Sequence, residues 1–216
     1  VDFYHIREDL ERLAGPVAGA DMRRLECYAD ALVESSGTMN LMSKGAIERL
    51  GEHVLDSAAL LSFIDLRGKE FADLGSGAGL PGVVVAVLRS ETRVTLVDSR
   101  RSKVVFLKRA ARLLELGNVR VVHERIEHLV GREVFDVAAV RALEKSVVML
   151  PACLDLVRPT GSLVLFKGPG WEGERTRAEE LAAGRGFSIA RSEVVPLGKA
   201  QRTTTLVEFH VKQPDM

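Results

Sequence analysis

A chain of 216 residues, 46% of them hydrophobic and 28% charged, corresponds to one ordinary domain or to one domain with a small appendage. Its 30 Lys and Arg side chains balance 30 Asp and Glu, which excludes a disordered polyelectrolyte and argues against indiscriminate coating of nucleic acid. The longest apolar run, Leu80 to Leu88, is interrupted by Pro81 and Gly82 and falls far short of the ~20 residues of a membrane-spanning helix.

The start, Val1-Asp2-Phe3-Tyr4-His5, has neither a basic segment nor an apolar core, so no secretory signal is expected and the location expected is cytoplasmic. Phe3, Ile6, Leu10 and Leu13 recur at helical spacing until Gly15-Pro16. Met22, Leu25, Ala29, Leu32 and Val33 form a second apolar face, with Ser35-Ser36-Gly37 as its expected stop. A third helix is predicted from Ile47 to Phe63. Cys27 and Cys153 lack any metal-ligand spacing and read as buried or free thiols of a reducing compartment.

From Gly68 onward the texture changes. Strands are predicted at 70–74, 93–97, 119–122, 135–140 and 162–166, alternating with helices at 83–88, 103–116 and 146–157. Such alternation implies a parallel sheet covered by helices on both faces. Phe187–Val195 and Thr203–Val211 read as an antiparallel pair at one edge. The expected fold is α/β: a doubly wound, Rossmann-like sheet of seven strands, mostly parallel, over residues 66–216, with a helical N-terminal cap over 1–65.

The first strand runs into Asp73-Leu74-Gly75-Ser76-Gly77-Ala78-Gly79-Leu80-Pro81-Gly82. Glycines here allow a tight strand-to-helix turn and close approach of a ligand to the backbone. The segment Gly77 to Gly82 also fits the dinucleotide fingerprint G-x-G-x-x-G. Asp73 separates the two cofactor classes, because a carboxylate at the strand end repels a pyrophosphate and attracts the ammonium of S-adenosylmethionine. Asp98 closes the second strand, where a carboxylate accepts from ribose hydroxyls of either cofactor. Ile126 and Glu127 follow the third strand, placed to flank an adenine.

With these residues and Phe135–Arg141 in view, the chain resembles class I S-adenosylmethionine-dependent methyltransferases, and within them the RsmG (GidB) family. The resemblance rests on Met39-Asn40-Leu41-Met42-Ser43, His53-Val-Leu-Asp56-Ser57, the glycine loop with its Leu80-Pro81, Asp98-Ser-Arg-Arg-Ser-Lys103, Phe135–Ala142 and Phe166-Lys167-Gly168. It implies transfer of a methyl group to N-7 of a guanine in the decoding-region loop of bacterial 16S rRNA, as free rRNA or in an assembling small subunit. It also implies a monomer with no metal, no membrane and no DNA partner. The family's cofactor contacts fall on Gly75, Leu80, Ile126-Glu127 and Arg141; Gly77 and Gly79 belong to the same loop.

Guanine N-7 carries a free lone pair, so attack on the sulfonium methyl needs no general base, and positioning is the main catalytic resource. Arg141 is the expected positioning residue. It holds the cofactor's carboxylate or the guanine's exocyclic oxygen, the plainer reading being a surface pair with Glu144. Arg100 and Arg101 begin a stretch to Arg112 that is basic and free of acidic residues, with Arg101, Lys108 and Arg112 on one helical face and Phe106, Ala110, Leu113 and Leu114 opposite. Arg100, Arg101, Lys167 and Arg202 are the RNA-contact candidates. Trp171 is expected in a loop, packed under it or stacked on an extruded base. His53, Asp56 and Ser57 read as an anchor between cap and cofactor loop, since a hydrolytic triad would need an oxyanion hole that is absent. A small-molecule methyltransferase, an NAD-dependent oxidoreductase and a non-catalytic nucleotide-binding module are the rival readings.

Overall fold

The computed structural model describes residues 2–141, 146–168, 170–198 and 202–211. After a 3-10 turn at Tyr4–Ile6 come helices α1 (Arg7–Ala14), α2 (Gly19–Met39), the single turn α3 (Lys44–Ile47) and α4 (Leu50–Phe63). Helix α2 continues through Ser35-Ser36-Gly37 rather than stopping there. Ser36 turns its hydroxyl back to the Leu32 carbonyl at 2.6 Å, which satisfies a buried serine inside a helix. The helix ends instead at Asn40, whose left-handed φ of 49° an Asn side chain tolerates.

Strands β1 (Glu70–Leu74), β2 (Arg93–Asp98), β3 (Val119–His123), β4 (Phe135–Val140), β5 (Val157–Lys167), β6 (Phe187–Pro196) and β7 (Thr203–Val211) make one sheet in the order β3-β2-β1-β4-β5-β7-β6. Neighbours from β3 across to β5 are parallel; β7 lies antiparallel between β5 and β6. Helices α5 (Gly82–Leu88), α6 (Arg101–Leu113), α7 (Ser146–Leu154) and α8 (Trp171–Ala183) cover it. The seven-stranded, doubly wound α/β fold is as expected.

Strand alternation distributes the core. Along β1, Phe71 packs with α1, α2, α4, α5 and α6, whereas Ala72 and Leu74 pack with α7 and α8 on the opposite face. The helical segment before β1 therefore shares one continuous core with the sheet: Leu10, Leu25, Leu32 and Leu60 are fully buried together with Phe71, Val83 and Leu96.

Three further local expectations change. Helix α7 ends at Leu154 and β5 begins already at Val157, because Phe135 pairs with Val157 before a register shift. Trp171, expected in a loop, opens a helix over 171–183 for which no element was predicted. Only Trp171, Ala178 and Ala182 of it are buried, too few apolar side chains to print a helical stripe, while ion pairs Arg175–Glu179 and Arg177–Glu180 lace its outer face. Leu113 is exposed rather than core, since Ala110 and Leu114 fill the inward side of the last turn of α6.

Candidate active site

The order of strands reverses direction between β1 and β4, the place where open parallel sheets open a crevice at their carboxyl ends. A cavity of about 580 Å³ lies there, within the size range of small-ligand sites. Gly75, Gly77, Leu80, Asp98, Ile126, Glu127 and Arg141, drawn from the ends of four parallel strands, all stand on its wall.

The glycine loop is closed upon itself. Gly75 and Ser76 N–H groups both donate to the Val97 carbonyl, at 2.9 and 2.8 Å, and Gly79 N–H donates to Ser76. Gly77 N–H donates to Asp98 Oδ2 at 2.8 Å. At the start of α5, Gly82 N–H donates to Asp73 Oδ2 at 2.9 Å and Val83 N–H to Gly79. A pyrophosphate cradle needs these donors turned outward; here they are consumed, and a carboxylate already sits at the helix start. This geometry disfavours the NAD reading on stronger grounds than charge alone.

It also corrects the placement of Asp73 and Gly79, which stand behind the wall rather than on it. Asp73 is 1% exposed, and burial pushes its carboxyl up to about 7 against the restraint of the Gly82 hydrogen bond and Arg141. A Cβ on Gly82 would lie 2.2 Å from Leu96 and 2.8 Å from Asp73 Oδ2, so the close approach requires glycine. Gly79, with φ +104°, is sealed in the same way by Val83, Leu107 and the Tyr28 hydroxyl. Tyr28 of α2 is fully buried and donates to the Ala78 carbonyl at 2.7 Å. Burial raises its hydroxyl pKa strongly, so it stays a neutral donor.

Asp98 gives its second oxygen, Oδ1, to Arg100 N–H at 2.8 Å. Each carboxylate oxygen retains a further lone pair for a hydroxyl on the pocket side. Lys103 was not among the predicted site residues, yet it lies on the wall and is buried. Its Nζ donates to the Asn40 and Leu41 carbonyls, at 2.8 and 2.7 Å, fixing the turn that carries Met42 to the pocket. The signal available in the sequence was the pairing of two motifs, Met39–Ser43 and Asp98–Lys103, with no visible link between them.

Arg141 ends β4 and meets α4. Its Nη2 lies 2.6 Å from Asp56 Oδ2 and 2.9 Å from His53 Nδ1, and its Nη1 lies 3.5 Å from Ser57 Oγ. The segment His53-x-x-Asp56-Ser57 thus anchors helix α4 to Arg141 rather than to the glycine loop. The alternative partner Glu144, like Ala142, lies outside the described residues. Burial and the Arg141 charge hold the His53 ring below its ordinary pKa.

The RNA-contact candidates are dispersed. Arg100 stands on the pocket rim and Arg101 is exposed beside it. Lys167 pairs with Glu174 at 2.6 Å and lies 5.4 Å over the Trp171 ring, while Arg202 pairs with Glu52. Trp171 is 3% exposed in the first turn of α8, so it packs inward and offers no stacking face. Among the described residues no group of three or more His, Cys, Asp or Glu is arranged to hold a metal ion, and no helix is long and apolar enough to cross a membrane.

Comparison with known proteins bears on this pocket. Residues 21–203 match a family described as rRNA small subunit methyltransferase G. Curated relatives named ribosomal RNA small subunit methyltransferase G include one from Carboxydothermus hydrogenoformans, 36% identical over 76% of this chain and 72% of the relative. Another, from Thermobifida fusca, is 35% identical over 85% of this chain and 78% of its own. Among solved structures, M. jannaschii TYW2 in complex with AdoMet aligns with a TM-score of 0.59 at 16% identity, over 80% of this chain and 78% of that one. Magnesium protoporphyrin IX methyltransferase from Synechocystis PCC 6803 with bound SAM aligns at 0.59 and 14% identity, over 91% and 99%. These two likenesses concern the fold.

Proposed function

Since the chain belongs to the rRNA small subunit methyltransferase G family, we propose that this enzyme transfers a methyl group from S-adenosylmethionine to N-7 of a guanine in the decoding-region loop of bacterial 16S rRNA. The observation that carries the reading is the closed glycine loop next to Asp98: a nucleoside site with its phosphate donors withdrawn. S-adenosylmethionine supplies an electrophilic sulfonium methyl when bound.

The chain's own residues divide the work along the sheet edge. Ile126 and Glu127 after β3 flank the adenine and Asp98 at β2 takes the ribose hydroxyls. Gly75, Gly77 and Leu80 at β1 shape the floor under the methionine part. Arg141 at β4 is the positioning group for the reacting centre. Its neighbours on that side, Met42, Ala46, His53 and Met149, offer no carboxylate or free imidazole pair arranged as a general base. Such a wall suits a nucleophile with no proton to lose, as guanine N-7 is. Residues 1–65 act as a cap that supplies Met42, Ala46 and His53 to this acceptor side. Arg100 and Arg101 are the arginines we assign to RNA contact, with Lys167 and Arg202 secondary because each is already paired.

Incubation with isotopically labelled S-adenosylmethionine and 16S rRNA lacking the modification, followed by nucleoside mass spectrometry, tests the reading. Labelled 7-methylguanosine is the expected product. Label absent from rRNA and from assembled small subunits, with S-adenosylhomocysteine binding intact, would leave the cofactor assignment standing and remove the acceptor.

A further inference from the structure

Nε2 of His53 is buried and has no hydrogen-bond partner among the described residues, yet His53 stands on the pocket wall. Its other nitrogen is committed. A guanidinium only donates, so Arg141 Nη2 at 2.9 Å makes Nδ1 the acceptor, and the neutral ring carries its proton on Nε2. The ring stays neutral at pH 7 because burial and the charges of Arg141 and Arg49 outweigh those of Asp56 and Glu52. An unpartnered buried N–H is costly unless a ligand completes it.

The strand order says which ligand. With the adenosine on β3 and β2 and the methionine part over β1, the wall at β4 faces the acceptor. His53 lies there, tied to Arg141, the residue that follows β4. Guanine presents O6 beside N-7, both acceptors on one edge, whereas adenine presents an N6 amino donor in the place of O6. A single imidazole N–H meets O6 without occupying N-7, which an arginine fork would block. It is also uncharged, so it does not repel the positive charge that develops on the purine as N-7 is methylated.

We propose, on the strength of the rRNA guanine reading above, that His53 is a substrate-contacting specificity residue, whose Nε2–H donates to O6 of the target guanine, with Arg141 as the positioning residue that holds its tautomer and Asp56 as the counter-charge. An adenine in the same pose sets donor against donor and is rejected.

The test measures kcat/KM on 16S rRNA carrying either guanine or 2-aminopurine, which keeps N-7 but lacks O6, at the target position. The intrinsic reactivity of each base cancels when the guanine-to-2-aminopurine preference of a variant is compared with that of the unmodified enzyme. His53→Ala is expected to lower this preference about tenfold, the scale of one hydrogen bond with its desolvation cost, while S-adenosylhomocysteine affinity changes less than about twofold. His53→Gln, whose amide accepts from Arg141 and donates onward, is expected to keep the preference, and His53→Glu, which accepts but does not donate, to lose it. That pair reads the same ratio where the Ala variant fails to fold. An unchanged preference in His53→Ala or His53→Glu overturns the proposal, as does a tenfold loss of S-adenosylhomocysteine affinity with the preference intact, which would assign His53 to the cofactor. Absence of 7-methylguanosine with the unmodified enzyme would instead overturn the functional reading, and this proposal with it.

Discussion

Asp73 is a carboxylate held in a place where ionisation is costly. Its folded pKa of about 7 lies well above the ordinary 3.8, so the native state binds this proton more tightly than the unfolded chain does. Stability from this group is therefore greatest below pH 4, falls as pH rises from about 4 to 7, and is level above 7. Asp73→Asn removes the slope. Relative to the unmodified protein, the variant is expected to gain on the order of 3 kcal/mol between pH 4 and pH 7, read by denaturant unfolding at both values. A constant difference would show that the carboxyl ionises normally. Arg141 is held differently, by an ion pair with Asp56. Its side chain and that of Asp56 are 15% and 16% exposed, so Arg141→Ala leaves a largely buried carboxylate unpaired, at about 3 kcal/mol. Methyl transfer is expected to fall about 100-fold, as misplacement at a reacting centre does. The double variant Arg141→Ala/Asp56→Ala should recover part of the stability and none of the activity. Recovery of both would assign Arg141 to folding alone.

At the scale of elements, the cofactor loop is set by helix α2 as much as by its own glycines. Tyr28 reaches from the middle of α2 to the Ala78 carbonyl, and Lys103 reaches from α6 to the carbonyls that end α2. Tyr28→Phe keeps the ring packing and deletes a buried donor, at about 1 kcal/mol of stability, with weaker S-adenosylhomocysteine binding and the same fold by circular dichroism. An unaltered cofactor affinity would mean that the loop holds its shape without the cap. The glycines and Asp98 were legible in the sequence because strand-end chemistry is local: a motif of ten residues states its own turn. Tyr28 was not, because a tyrosine on an apolar helical face looks like any core residue until the loop it touches is known. Helix α8 was missed for a related reason, since its buried side comprises one tryptophan and two alanines.

For the molecule as a whole, a net charge of zero leaves RNA recognition to local clusters. Several surface cations are paired, Arg109 with Glu34, Arg120 with Glu133 and Arg202 with Glu52, and the largely buried Lys167 pairs with Glu174. Arg100 and Arg101 are exposed at the mouth of the cavity and at the start of α6. Arg100→Gln/Arg101→Gln is expected to weaken rRNA binding and to reduce the slope of log K against log salt by about 1–2, leaving S-adenosylhomocysteine affinity within about twofold. An unchanged slope in a filter-binding titration would move the RNA interface elsewhere.

The fold class, the parallel core of the sheet, the glycine loop and the acidic ends of β1 and β2 were determined by the sequence itself, because each depends on period, turn chemistry and residues close together in the chain. The tertiary structure alone decided three things: that Asp73 turns inward to the start of α5, that His53, Asp56 and Ser57 converge on Arg141 from more than eighty residues away, and that Lys103 is buried. These rest on long-range packing. A charged side chain's partner, and the burial that fixes its protonation, exist only when the N-terminal helices have packed against the sheet.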